Sequence, residues 1–160
     1  MRPLTLYIFL FILLNSCGGT TKYVTSNPKC MSTIIITKNK VGLKDYFKVK
    51  MSKSNGIIAK KGNYFDIWFE RGFKNDTIQA FINGKLLGEV VVSTDPSIGT
   101  TEKGFRYKYK KNESNLILKI VKNGKDCMEI TLDKKFRQLF ISFTDNKWEI
   151  IFDNIYPFYS

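Results

Sequence analysis

Three dipeptides, Asn83-Gly84, Asn123-Gly124 and Asp145-Asn146, each stand between two runs in which apolar and polar residues alternate. The first separates DTIQAFI from KLLGEVVV, the second NLILKIV from KDCMEITL, and the third FRQLFISFT from KWEIIF. Asn, Asp and Gly tolerate the positive φ angles of a two-residue type I′ turn, and the twist of that turn suits an antiparallel pair of strands. A helix would scatter the apolar residues of a period-two run around its circumference, whereas a strand gathers them on one face. The chain is therefore constrained to fold as hairpins.

The same period runs through most of the sequence from Thr33 onward. Phe47, Val49 and Met51 alternate with Lys48 and Lys50, Phe65, Ile67 and Phe69 with Asp66, Trp68 and Glu70, and Phe105, Tyr107 and Tyr109 with Arg106, Lys108 and Lys110. No stretch of ten or more residues carries a helical period. Strands near 33–38, 43–51, 64–70 and 104–110, added to the three hairpins, predict nine to ten strands in an all-β domain over 33–160. Antiparallel strands in that number close into a barrel or pack as two sheets. The expectation is an antiparallel β-sandwich, with an up-and-down β-barrel as the alternative; Trp148, Ile150 and Phe152 belong to its core. The longest loops, 53–63 and 93–104, are where binding function is expected.

Ahead of this domain lies a different kind of segment. Arg2 is followed by an apolar run of 11 residues from Leu4 to Leu14, then Asn15, Ser16, Cys17 and Gly18-Gly19. A spanning helix needs about 20 apolar residues to cross a core of roughly 30 Å, so the run is too short to be one. A basic start, a short apolar stretch and a small residue before a cleavage point make a secretory signal peptide. Leu14-Asn15-Ser16-Cys17 resembles the lipobox of bacterial lipoproteins, departing from the commonest form only at Asn15. The resemblance implies that residues 1–16 are removed and that Cys17 takes a lipid and becomes the N-terminus; an ordinary cleaved signal is the other reading. Residue 18 is Gly and not the Asp of the inner-membrane retention signal of enteric bacteria. Nor is Cys17 followed by the acidic cluster that sends some Bacteroidota lipoproteins to the cell surface. The expected address is the periplasmic face of the outer membrane. Residues 17–32, polar and without hydrophobic period, are expected as a lipid-anchored tether.

Removal of residues 1–16 leaves 144 residues, enough for one domain, with 25 basic and 14 acidic side chains, a net +11. A charge of this sign suits anionic lipid or acidic glycan. Of the 26 basic residues 22 are Lys, a bias that accompanies 18 Ile and 12 Asn and looks like the codon usage of an AT-rich genome. Phosphate and base-edge recognition favours the fork of Arg, so nucleic acid is not an expected partner.

Lipidation of Cys17 leaves Cys30 and Cys127, an even pair that an oxidising compartment can join. Two separate thiols are the alternative. With no histidine in the chain and no closely spaced cysteines, neither a metal site nor a cofactor is expected.

Catalysis has little material. Without histidine the usual general base and the Ser or Cys triads are missing, and no Gly-x-Ser-x-Gly elbow or phosphate-cradling glycine loop occurs. Asp66 and Glu70 lie about 13 Å apart by strand rise, beyond the carboxylate spacings of glycoside hydrolysis. Two surface constellations remain. Tyr64, Asp66, Trp68 and Glu70 would face solvent opposite Phe65, Ile67 and Phe69, a composition suited to a sugar or a peptide, or to plain packing. Lys48 and Lys50, with Arg106, Lys108 and Lys110 if their strands are neighbours, would form a basic face for anionic lipid. The expected protein is an exported lipoprotein held to the membrane by its N-terminal lipid. Its β domain would bind without catalysing, as an accessory to an envelope protein partner or, alternatively, as a glycan- or lipid-binding module.

Overall fold

The computed structural model describes residues 20–24, 30, 32–39, 56–58 and 62–157. Among them there is no helix, and twelve strands form: β1 (Thr20–Val24), β2 (Thr33–Lys38), β3 (Gly56–Ile58), β4 (Tyr64–Phe69), β5 (Asp76–Ile82), β6 (Lys85–Val92), β7 (Gly104–Lys108), β8 (Ile117–Lys122), β9 (Asp126–Thr131), β10 (Gln138–Thr144), β11 (Lys147–Asp153) and β12 (Ile155–Pro157). They assemble into a six-stranded sheet in the order β1-β2-β11-β10-β4-β7 and a four-stranded sheet in the order β6-β5-β8-β9, with β12 and β3 as a short separate pair. The architecture is the expected β-sandwich and not the alternative barrel. Expected strand 43–51, together with Lys48, Lys50, Cys17 and the signal segment, lies outside the described residues.

Both sheets contribute their alternate residues to one core. Phe65, Ile67 and Phe69 of β4, Leu139, Ile141 and Phe143 of β10 and Trp148, Ile150 and Phe152 of β11 meet Ile78, Ala80 and Ile82 of β5, Leu118 and Ile120 of β8 and Met128 and Ile130 of β9. Each fully buried Phe or Ile stabilises the fold by roughly 1.5–3 kcal/mol relative to exposure. The Trp148 and Phe143 rings sit 4.7 Å apart across the β10–β11 hairpin, so Trp148 is core.

All three turn dipeptides adopt positive φ at both positions: 48° and 76° at Asn83-Gly84, 52° and 67° at Asn123-Gly124, and 51° and 58° at Asp145-Asn146. The first and third are the two-residue loops expected. The second is one residue longer: the Lys125 N–H closes the turn onto the Lys122 carbonyl, and pairing resumes at Lys122 with Asp126. Asn83 and Asn123 also reach beyond their own hairpins. The Asn83 Oδ1 accepts from the Ile117 N–H, and the Asn123 Oδ1 from the Thr77 N–H, each at 2.8 Å. Each turn asparagine thereby satisfies a backbone donor on the strand beside its hairpin.

Two features depart from the expected antiparallel sandwich and tether. The C-terminal hairpin inserts into the middle of the six-stranded sheet, where β10 runs parallel to β4 and β11 parallel to β2. Strand β10 is buried on both faces as far as Phe143, which is why Leu139-Phe140-Ile141 is continuously apolar rather than alternating. The second departure is β1, which pairs antiparallel with β2 from inside the stretch expected as tether. Its sequence TTKYV lacks apolar alternation, but a strand added at a sheet edge is held by backbone hydrogen bonds to its neighbour.

Candidate functional site

The first constellation and the Arg106 and Lys108 part of the second meet on the outer face of the six-stranded sheet, because β4 and β7 are antiparallel neighbours. Asp66 lies opposite Arg106 and Tyr64 opposite Lys108. The Arg106 Nε donates to Asp66 Oδ1 at 2.5 Å and its Nη2 to Oδ2 at 2.9 Å, a bidentate fork. The same guanidinium stands 4.9 Å from the centre of the Tyr64 ring.

This corrects the solvent-facing reading of Tyr64, Asp66, Trp68 and Glu70. Asp66 and Glu70 are buried, and Tyr64 and Trp68 are half-buried. Gln138, Phe140 and Ser142 of the adjoining β10 are buried on the same outer face, so this side of the sheet is an interior surface as well. Trp68 pairs with Phe140 on one side and Gly104 on the other. Its ring occupies the space over the glycine, where a Cβ would come within 3.2 Å of it. Glu70 follows the end of β4 and lines a cleft of about 580 Å³ with Asp153, Phe140, Ile151 and Ile98. Ile98 belongs to the expected functional loop 93–104, which is held by a bridge between Asp95 and Thr100 and by the Thr101 hydroxyl donating to the Phe69 carbonyl at 2.8 Å.

Lys108 and Lys110 take part in a second cleft, of about 550 Å³, where the β6 edge of one sheet faces the β7 edge of the other. Lys85 and Leu86 line it from β6, and neither was singled out from the sequence. The signal was present in KLLGEVVV, where Leu86-Leu87 breaks the alternation. Ala80 pairs with Gly88 and Phe81 with Leu86, which leaves Leu87 as an extra residue, a β-bulge. Beside the bulge the Phe105 ring of β7 packs on Gly88 so closely that a Cβ there would lie 2.9 Å from it. On the β7 side, the Tyr107 hydroxyl donates to Glu113 Oε1 at 2.8 Å and the Lys110 N–H to Oε2 at 3.1 Å. Burial, and then the hydrogen bond and charge of Glu113, push the Tyr107 hydroxyl up to about 12.

The opposite edge of the sandwich is closed covalently. Cys30, between β1 and β2, forms a disulfide with Cys127 of β9, their Cα atoms 4.9 Å apart. Lys38 at the end of β2 adds an ion pair of 2.9 Å with Asp133, just past β9. The disulfide and the Phe105–Gly88 contact thus join the two sheets at opposite edges.

The outer face of the four-stranded sheet is different again. Leu86 is 58% exposed, Val91 51% and Ile117 39%, with half-buried Phe81 paired against Leu86. No group of His, Cys, Asp and Glu able to hold a metal occurs among the described residues. In comparisons with known proteins, no family model, no curated protein and no solved structure matches the chain.

Proposed function

We propose that the chain is an exported, lipid-anchored β-sandwich of the cell envelope that docks a protein partner without catalysing a reaction. The Cys30–Cys127 disulfide supports export, because such bonds form and persist in oxidising compartments. Cys17 carries the lipid, and the periplasmic face of the outer membrane is the address. The observation that carries the docking role is the exposed apolar pair Leu86 and Ile117 beside half-buried Phe81, with Val91 further along β6 past the Gln79–Glu89 pair, on a sheet whose other side is a filled core. Apolar surface of this kind on a rigid sheet marks an interaction face. A ligand-binding module is the second reading, favoured by the open clefts beside β6 and at the outer face rather than by any barrel interior.

The test is a photoreactive side chain at Ile117 or Val91 of the full-length protein in its native membrane. Capture of one envelope protein, lost when Phe81→Lys charges the face, is the expected result. Recovery of lipid or glycan alone, or capture that Phe81→Lys leaves intact, overturns the docking role.

A further inference from the structure

We propose that the cleft between β6 and β7 binds an anionic amphiphile, a lipid whose headgroup carries a phosphate. The inference rests on the ligand-binding reading and sharpens it; it shares Leu86 with the docking face, but not Val91 or Ile117.

The charge distribution points to the phosphate. Lys85, Lys108 and Lys110 line the cleft and are all exposed, and Glu113 is the one carboxylate among its described residues. Three ammonium groups against one carboxylate leave an excess of two positive charges, which matches a phosphate monoester. Both Glu113 oxygens accept hydrogen bonds, from Tyr107 and from the Lys110 backbone, which fix the carboxylate on the wall; its charge is the one already set against the three lysines. The fork of Arg gives the more directional phosphate contact, but a lysine ammonium also binds a headgroup phosphate, as a mobile point charge.

The apolar part of the cleft points to the lipid. Leu86 lines it while more than half exposed, with Leu87 at the bulge beside it. Bulges re-aim side chains at functional edges. Here the bulge leaves Leu86 exposed next to the lysines, while Leu87 packs half-buried against the core. A headgroup phosphate between the ammonium groups would lay the first methylenes of its chain along Leu86, and a free phosphate would leave that surface in water. A volume of about 550 Å³ accommodates a headgroup and the beginning of its chains.

The experiment is a titration of the full-length protein, in nonionic detergent, with dihexanoyl phosphatidate, dihexanoyl phosphatidylcholine and inorganic phosphate. It is followed by the amide resonances of residues 85, 108 and 110. Saturable binding of the phosphatidate is expected, weakened at least tenfold in the Lys85→Gln, Lys108→Gln, Lys110→Gln triple variant and unchanged in Lys147→Gln on a remote hairpin. Leu86→Asp should weaken the phosphatidate several-fold more than inorganic phosphate. Equal affinity for phosphatidylcholine removes the charge argument, and equal affinity for inorganic phosphate removes the lipid; either overturns the proposal, as does indifference to the triple variant. The lysines are exposed, so unchanged thermal unfolding should accompany their loss. Failure here leaves the cross-links at Ile117 and Val91 unaffected, so the two readings fall separately.

Discussion

Arg106 lies across Asp66 with two parallel hydrogen bonds, although the arginine side chain is 65% exposed and the aspartate only 3%. The pair joins the edge strand β7 to β4 at the outer face of the six-stranded sheet. Removing the arginine leaves a buried carboxylate short of two charged donors, which costs more than an exposed ion pair is worth. Because half of the pair is solvated, the expected loss for Arg106→Ala is about 1–3 kcal/mol, below that of a fully buried pair. Denaturant unfolding of Arg106→Ala, Asp66→Asn and the double variant measures it. A coupling near zero would show that the fork contributes nothing.

Reduction of the Cys30–Cys127 bond should lower stability by about 2–5 kcal/mol, since it releases a loop of 97 residues in the unfolded chain. Thermal unfolding with and without reductant is the direct comparison. Cys30→Ser with Cys127→Ser should reproduce the reduced form.

Gly72 holds φ at +85°, and a Cβ built on it would lie 1.7 Å from the Phe143 carbonyl oxygen. Gly72→Ala therefore combines backbone strain with a collision against a core strand, and a loss of about 3 kcal/mol is expected. Gly84→Ala is the control: its φ is also positive, but its Cβ would meet nothing within 4 Å. If both variants lose the same stability in urea, the collision at Phe143 has no weight.

Acid should unfold the protein through Asp76 and Asp133. Burial alone would raise the Asp76 carboxyl. The Lys74 N–H, the Asn123 amide and the Lys122 ammonium outweigh it, and the group titrates below its ordinary value. Asp133 is lowered in the same way, burial being offset by Lys38 and the Lys135 N–H. A carboxyl depressed in the folded state binds fewer protons there than in the unfolded chain. Its stabilisation is complete above about pH 4 and is lost as pH falls through the folded-state value. Asp76→Asn should flatten the acid limb of a stability–pH curve measured by urea midpoints between pH 6 and 2.

At the alkaline end the sign reverses. Tyr107 is raised to about 12 by burial and by Glu113, so the folded state keeps its proton after an unfolded tyrosine, near pH 10, has lost it. That stabilisation is present below pH 10 and is lost as pH rises through about 12. The ultraviolet titration of tyrosinate absorbance should show a late-ionising component that is lost in Tyr107→Phe.

Much of this architecture is written locally. Turn positions follow from Asn-Gly and Asp-Asn, whose positive φ angles are a property of a few residues. The core face follows from period-two alternation, as Phe65, Ile67 and Phe69 or Trp148, Ile150 and Phe152 illustrate. The tertiary structure alone decided which strands are neighbours. It set β10 beside β4, and so buried Asp66 on a face whose alternation reads as solvent-exposed. It placed Arg106 on that carboxylate across 40 residues and Asn39 on Asp153 across 114. Pairing between distant strands is chosen by the stacking of whole sheets and the side chains that meet across them, and no short stretch of sequence encodes that choice. The cleft of Lys85, Lys108 and Lys110 has the same origin: its lysines are visible in the sequence, but only the packing of two sheets makes their strand edges face one another.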